Sequence, residues 1–176
     1  MAVDWTEQLG TQLSWHWENF VRPRLDGLTD DEYLWEPVDG CWSVRPRPDG
    51  SAGIDFEFPE PDPPPVTTIA WRLGHVIVGI FGMRTASHFG GPPLDYQTFP
   101  WSATAEGALA QLDDAYARWT AGVDTLDAER LAQPVGEAEG PFAEHAYAEL
   151  VLHINREAIH HGAEVLLLRD LYRHRH

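Results

Sequence analysis

Three histidines and two glutamates stand inside one otherwise apolar stretch, "HINREAIHHGAEV", from His153 to Val165. Imidazoles and carboxylates are the groups that move protons near neutral pH and ligate divalent cations. Three arrangements would account for so many of them in one helix. They are a solvated flank, a set of hydrogen-bonded core polars, or a metal site.

The apolar seam of this segment runs through Tyr147, Val151, Ile154, Ala158, Val165, Leu168 and Tyr172. Its one long gap falls at His161, which places an imidazole in a core-facing slot. Glu157 lies one turn earlier, about 40° away around the axis, close enough to share an ion with His161 or to pair with it. His153 lies a further turn back, placed to orient Glu157 or a bound water. His160 points about 100° from His161, toward a flank. A buried Glu157–His161 pair without metal is one reading. A buried carboxylate is costly without a cation, however, and an ion bound by both residues removes that cost. His75, midway along "TIAWRLGHVIVGIFGM" and beside Ile69, Leu73, Val76 and Ile80, is the candidate third ligand. Two imidazoles and one carboxylate suit zinc first, and nickel or iron as well. Three protein ligands leave a position open for substrate.

Four long amphipathic segments must position these groups. The first spans about Asp4 to Arg22 and is interrupted at Pro23. The second begins at a Thr67 or Thr68 cap and ends near Phe89 before "GGPP". The third is capped at Ser102 and runs to about Val123. The last runs from about Pro141 to Tyr172. A short helix in "LTDDEYLWEP" has Thr29 as its cap and Glu32 three residues on, as a capping box requires, and a helical turn is expected near Leu126 to Leu131. Residues 38–66 are dense in proline and glycine and too long for an ordinary connection. They read as a functional lid or a loose loop, with "IDFEF" as a short extended piece. No strand pattern is strong enough to support a sheet. The expected fold is all-α, a single-domain antiparallel four-helix bundle over 1–176 with a long irregular crossover between the first and second long helices.

Composition narrows the function. A net charge of −16 repels phosphate and anionic lipid, which argues against nucleic-acid and membrane partners. No apolar run approaches a membrane span, and no targeting segment is evident. The single cysteine, Cys41, excludes an intrachain disulfide and fits a cytoplasmic location. Eight tryptophans supply core area or line a pocket.

Two of these segments resemble the DinB-like superfamily, which includes metal-dependent thiol transferases and a mycothiol-dependent maleylpyruvate isomerase. "TIAWRLGHVIVGIFGMRTASHFGG" carries the histidine of the second helix, and "HINREAIHHGAEVLLLRDLY" carries a metal-binding pair four residues apart. The resemblance implies a four-helix bundle holding a divalent ion through His75, Glu157 and His161. Glutamate at 157 is similar to the isomerase-type members, where many others have histidine. Gly162 directly after His161 departs from the common ending. A frame shifted by one makes His160 the ligand but puts Arg156 four residues back, and arginine cannot ligate a cation.

The resemblance favours an enzyme in which a low-molecular-weight thiol cosubstrate attacks a small electrophile at the open metal position. A metal-dependent hydrolase, or a non-catalytic metal- or ligand-binding bundle, are the alternatives. Arg45 and Arg72 are candidates to bind a substrate carboxylate, or to pair with one of the many acids. His16 reaches the site from the first helix or stacks among tryptophans. His88 suits a helix C-terminus, and Glu149 and Glu164 read as solvated flank. The amphipathic first and third helices permit a homodimer.

Overall fold

The structure, a computed structural model, describes residues 3–175; residues 1, 2 and 176 of the expected domain lie outside the described residues. It is mostly helical, as expected. The first long helix runs Trp5–His16, continues through a π-helical turn at Trp17–Val21 and ends in Arg22–Arg24. Asp4 starts it by accepting from the backbone N–H groups of Thr6 and Glu7, which satisfies donors that the first turn leaves open. The second begins at Ile69–Gly74, widens into a π-helical segment at His75–Gly82 and closes with Met83–Phe89. Thr68 caps it through Trp71 N–H. The third, Ala105–Val123, is capped by Thr104. Ser102, expected in that role, instead accepts from Thr104 N–H at 3.1 Å and donates to Thr104 O at 2.9 Å, shaping the turn that delivers the cap.

The last helix is Tyr147–Arg173, six residues shorter at its start than the pattern suggests. Gly140 leaves helical geometry at φ 54°, within a short 3-10 stretch at Glu137–Phe142. No side chain caps Tyr147. Its N–H donates instead to Gln133 O at 2.9 Å, a backbone cap invisible in local sequence.

Cross-helix contacts fix the directions. Asn155 donates to Leu9 O at 2.8 Å, and Arg24 meets Asp170 at 2.8 Å, so the first and last helices run the same way. Arg22 binds Asp113 at 2.7 Å, while Trp17 stacks on Tyr116 with centroids 4.6 Å apart; the third helix runs against the first. Phe81 meets Tyr116, and Phe89 meets Trp119, so the second and third run together. The bundle is up-down-down-up. To the irregular connection expected between the first two helices it adds a lengthwise crossover over 90–104.

The excursion at 38–66 is ordered. Val44–Pro46 pairs antiparallel with Ala52–Ile54, a two-stranded hairpin that sequence patterning had not supported because each strand is three residues long. Trp42 N–H donates to Val66 O and Thr68 N–H to Trp42 O, both at 2.9 Å, tying the excursion to the start of the second helix. Among the described residues no helix is long and apolar enough to cross a membrane.

One polar link lies deep in the core. Thr29 caps the short helix Asp30–Tyr33 as predicted, but Glu32 does not return the capping bond. Its carboxylate accepts from Arg169 Nε at 2.8 Å, and both side chains are almost wholly buried. Arg169 also donates to Arg24 O. Removing one partner of such a pair strands a buried charge, which costs about 3–5 kcal/mol. Glu32→Ala is therefore expected to lower unfolding free energy by about that amount in denaturant titrations, whereas removing the exposed Arg118–Asp114 pair leaves it nearly unchanged. Equal, small effects for both would contradict this assignment.

Candidate metal centre

The π-helical segment starts at His75, and such segments often mark sites where a helix must present side chains unevenly. Gly79, one turn on, has no side chain where a Cβ would lie 2.4 Å from Tyr96 Oη and 3.0 Å from His75 Nδ1. That gap admits the tyrosine. Tyr96, from the 90–104 crossover, meets His75 Nδ1 at 2.7 Å. Trp71 stacks on the other side of the imidazole at 5.4 Å.

The ring of His75 meets that of His161 edge-on at 4.7 Å. His161 is buried, as its place in the seam predicts. Its Nδ1 lies 2.7 Å from Glu164 Oε2, and its Nε2 lies 3.6 Å from Glu157 Oε2. Glu164 is not the solvated flank that its spacing suggests. It is half-buried and held by Arg72 at 3.1 Å across the helix interface. Arg72 thus pairs with an acid, and Arg45 does likewise, binding Glu36 and, at 2.8 Å, Asp55.

Glu157 and His75 line the same cavity, of about 560 Å³. Glu157 Oε1 also accepts from Arg156 at 3.2 Å. His153 lines the cavity too, 2.5 Å from Arg156 and 3.7 Å from Glu157. His160 is exposed and lies 3.4 Å from Glu164. His16 stacks on Phe20 at 5.8 Å and does not line the cavity. His88, at the end of the second helix, bonds Glu139 at 2.9 Å in a nearly buried contact. Cys41 is buried and donates to Val38 O; it too lies outside the cavity lining.

Among the described residues, His160, His161 and Glu164 are grouped with ligand atoms all within 4.8 Å of one another. Of the predicted set, His161 stands 4.7 Å ring to ring from His75 and 3.6 Å from Glu157, a looser arrangement than the His160 group. Sequence reasoning missed Tyr96 and the role of Glu164. Gly79 one turn after His75 was the available signal for the first; none in the sequence links Glu164 to Arg72.

Both imidazoles are held neutral. Burial pushes the His75 pKa down to about 4, helped by His161 and Arg72 and opposed by Glu157 and Glu164. Burial also lowers that of His161, against the pull of Glu164. A neutral imidazole is the ligating form.

The unfolded chain protonates residue 75 near 6.5, the folded chain only near 4. Between those values the unfolded state holds more protons, so stability rises with pH there. In the presence of a chelator, melting temperature is expected to be level above about 6.5 and to fall toward pH 4. His75→Gln is expected to flatten that slope; an unchanged slope would contradict the burial account. Tyr96→Phe and Glu164→Ala each remove a bond that orients a ring, and each is expected to weaken cation affinity about 10–100-fold by competition with a chromophoric chelator, without unfolding the chain.

Comparison with curated proteins and with solved structures finds no match. The sequence profile of the DinB superfamily matches residues 12–165. That span runs from the first long helix to beyond His161 on the last, and takes in every element that positions the centre. The chain belongs to the DinB superfamily.

Proposed function

We propose that the chain is a metal-dependent enzyme that transfers a low-molecular-weight thiol to a small electrophile, its divalent ion held by His75, Glu157 and His161. The observation that carries this reading is the state of the ring nitrogens. His75 Nδ1 is engaged by Tyr96 and His161 Nδ1 by Glu164, which leaves Nε2 of each as the ligating atom. A carboxylate on the far nitrogen of a histidine is the usual way its tautomer is fixed for metal binding. His161 Nε2 then faces Glu157 Oε2 at 3.6 Å. Two ligand atoms about 2.1 Å from one tetrahedral ion stand about 3.4 Å apart.

The tighter grouping at His160 is a poorer cation site. There Glu164 already neutralises Arg72, and its 2.7 Å contact with His161 is a direct hydrogen bond. His160 itself is exposed to water.

Two neutral imidazoles and one carboxylate suit zinc, with nickel and iron also accommodated. A bound divalent ion would polarise a carbonyl and lower the pKa of a thiol or water placed in its open position. The protein's own part is positional. Tyr96 and Glu164 orient the rings, and the cavity gives a small molecule room beside His75 and Glu157.

Metal analysis of the purified chain is expected to give about one divalent ion per chain. His75→Ala, Glu157→Ala and His161→Ala are each expected to abolish it, and His160→Ala to retain it. Loss in His160→Ala with retention in His75→Ala would replace this ligand set with the flank grouping. Assayed with an electrophile and mycothiol, bacillithiol or glutathione, the wild type is expected to turn over only with thiol and metal both present. Turnover without thiol would mark a hydrolase, and none with the metal bound a binding protein.

A further inference from the structure

The cavity beside His75 and Glu157 is built of ring faces. Trp42 lies 5.9 Å from Trp71 and 6.4 Å from Phe56, and Phe56 stacks on Tyr96 at 5.3 Å. Phe58 stands at the rim with 88% of its surface exposed. These rings come from three separate parts of the chain: the excursion, the second helix and the crossover. At about 560 Å³ the space suits a small molecule.

The charges around it are one-sided. The twelve lysine-or-arginine positions of this chain are all arginine, and those near the cavity stand beside acids. Arg84, the one arginine in its lining, donates to Gly79 O at 3.1 Å and stands 3.5 Å from Glu139. Arg72 is held by Glu164 and Arg156 by Glu157. A carboxylate-bearing ligand would compete with Glu139, Glu164 or Glu157 for these guanidinium groups. Glu57 and Glu60, by contrast, sit exposed in the lining on the excursion side. Aromatic faces carry negative quadrupole density and attract cations, most strongly where water is excluded. Carboxylates at the mouth raise the local concentration of cations and lower that of anions.

We infer that the molecule handled at this site carries an ammonium group, primary to quaternary, seated against the Trp42–Trp71–Phe56–Tyr96 walls with Glu57 and Glu60 at the mouth. Its reacting group is turned toward His75 and Glu157. This rests on the preceding reading for where reaction occurs; because Trp71 and Tyr96 also flank His75, the variants that test it are placed on Phe56, Glu57 and Glu60.

The test uses three probes of one shape: choline, its uncharged carbon isostere 3,3-dimethylbutan-1-ol, and the anion 3,3-dimethylbutanoate. Each is titrated calorimetrically into the full chain, as purified and again with excess chelator, since the anion could ligate a metal directly. Choline is expected to bind roughly five- to tenfold more tightly than the alcohol in both preparations, and the anion most weakly once metal is removed. Phe56→Leu, on an exposed part of the excursion, is expected to cut the choline preference several-fold. Glu57→Gln with Glu60→Gln is expected to reduce it further and to remove most of its salt dependence. Equal binding of choline and the alcohol, tighter binding of the anion in chelator, no binding of any probe, or a preference unchanged by Phe56→Leu would overturn the inference. None of those outcomes touches the metal ligands. Conversely, a choline preference that persists in a chain unable to hold metal would leave this inference standing and remove the function proposed above.

Discussion

An imidazole buried in the apolar seam of a helix must have both ring nitrogens answered, and this requirement at His161 organises the structure around it. One nitrogen meets Glu164, which in turn needs the guanidinium of Arg72 on the second long helix. The other faces Glu157. Desolvation is the largest influence holding the ring neutral, and Arg72 and His160 add to it against the pull of Glu164; a neutral imidazole is the form that can ligate a cation. The second and last helices are thereby joined at the level of the centre by an arginine–glutamate–histidine chain as well as by apolar packing.

His75 shows the same logic through different elements. Its partner Tyr96 belongs to the lengthwise crossover, which exists because the second and third helices run in the same direction. The tyrosine reaches the ring only because position 79 has no Cβ. Topology, a glycine and a π-helical segment therefore combine to set one ring orientation. The buried Glu32–Arg169 pair lies elsewhere and ties the excursion's approach to the last helix, so fold and centre draw on separate polar networks. The excursion contributes walls to the cavity through its aromatic side chains, anchored by Trp42 to the residues that start the second helix.

Much of this was legible in the sequence, and the boundary follows physical lines. The seven-residue gap in the last helix's seam reported the burial of His161, because helical periodicity is local. Caps at Thr29 and Thr68 were equally readable, the helical bundle followed from spacing, and the family from the resemblance of two segments. Glu164 was misread because three residues from a core position looks like a flank; its partner Arg72 is distant in sequence. The hairpin strands were too short to show alternation. The late start of the last helix depends on a backbone acceptor at Gln133, and the parallel course of two helices on contacts between distant residues. What needed a partner from another element was hidden, and what one helix decides by itself was visible.

The central claim is the placement of one divalent ion between two helices. Crystals grown with zinc and measured at and below its absorption edge test it most directly. The account predicts a single anomalous peak about 2.1 Å from an Nε2 of His75, an Nε2 of His161 and a carboxylate oxygen of Glu157. A peak on the flank formed by His160 and Glu164, with His75 unligated, would contradict it.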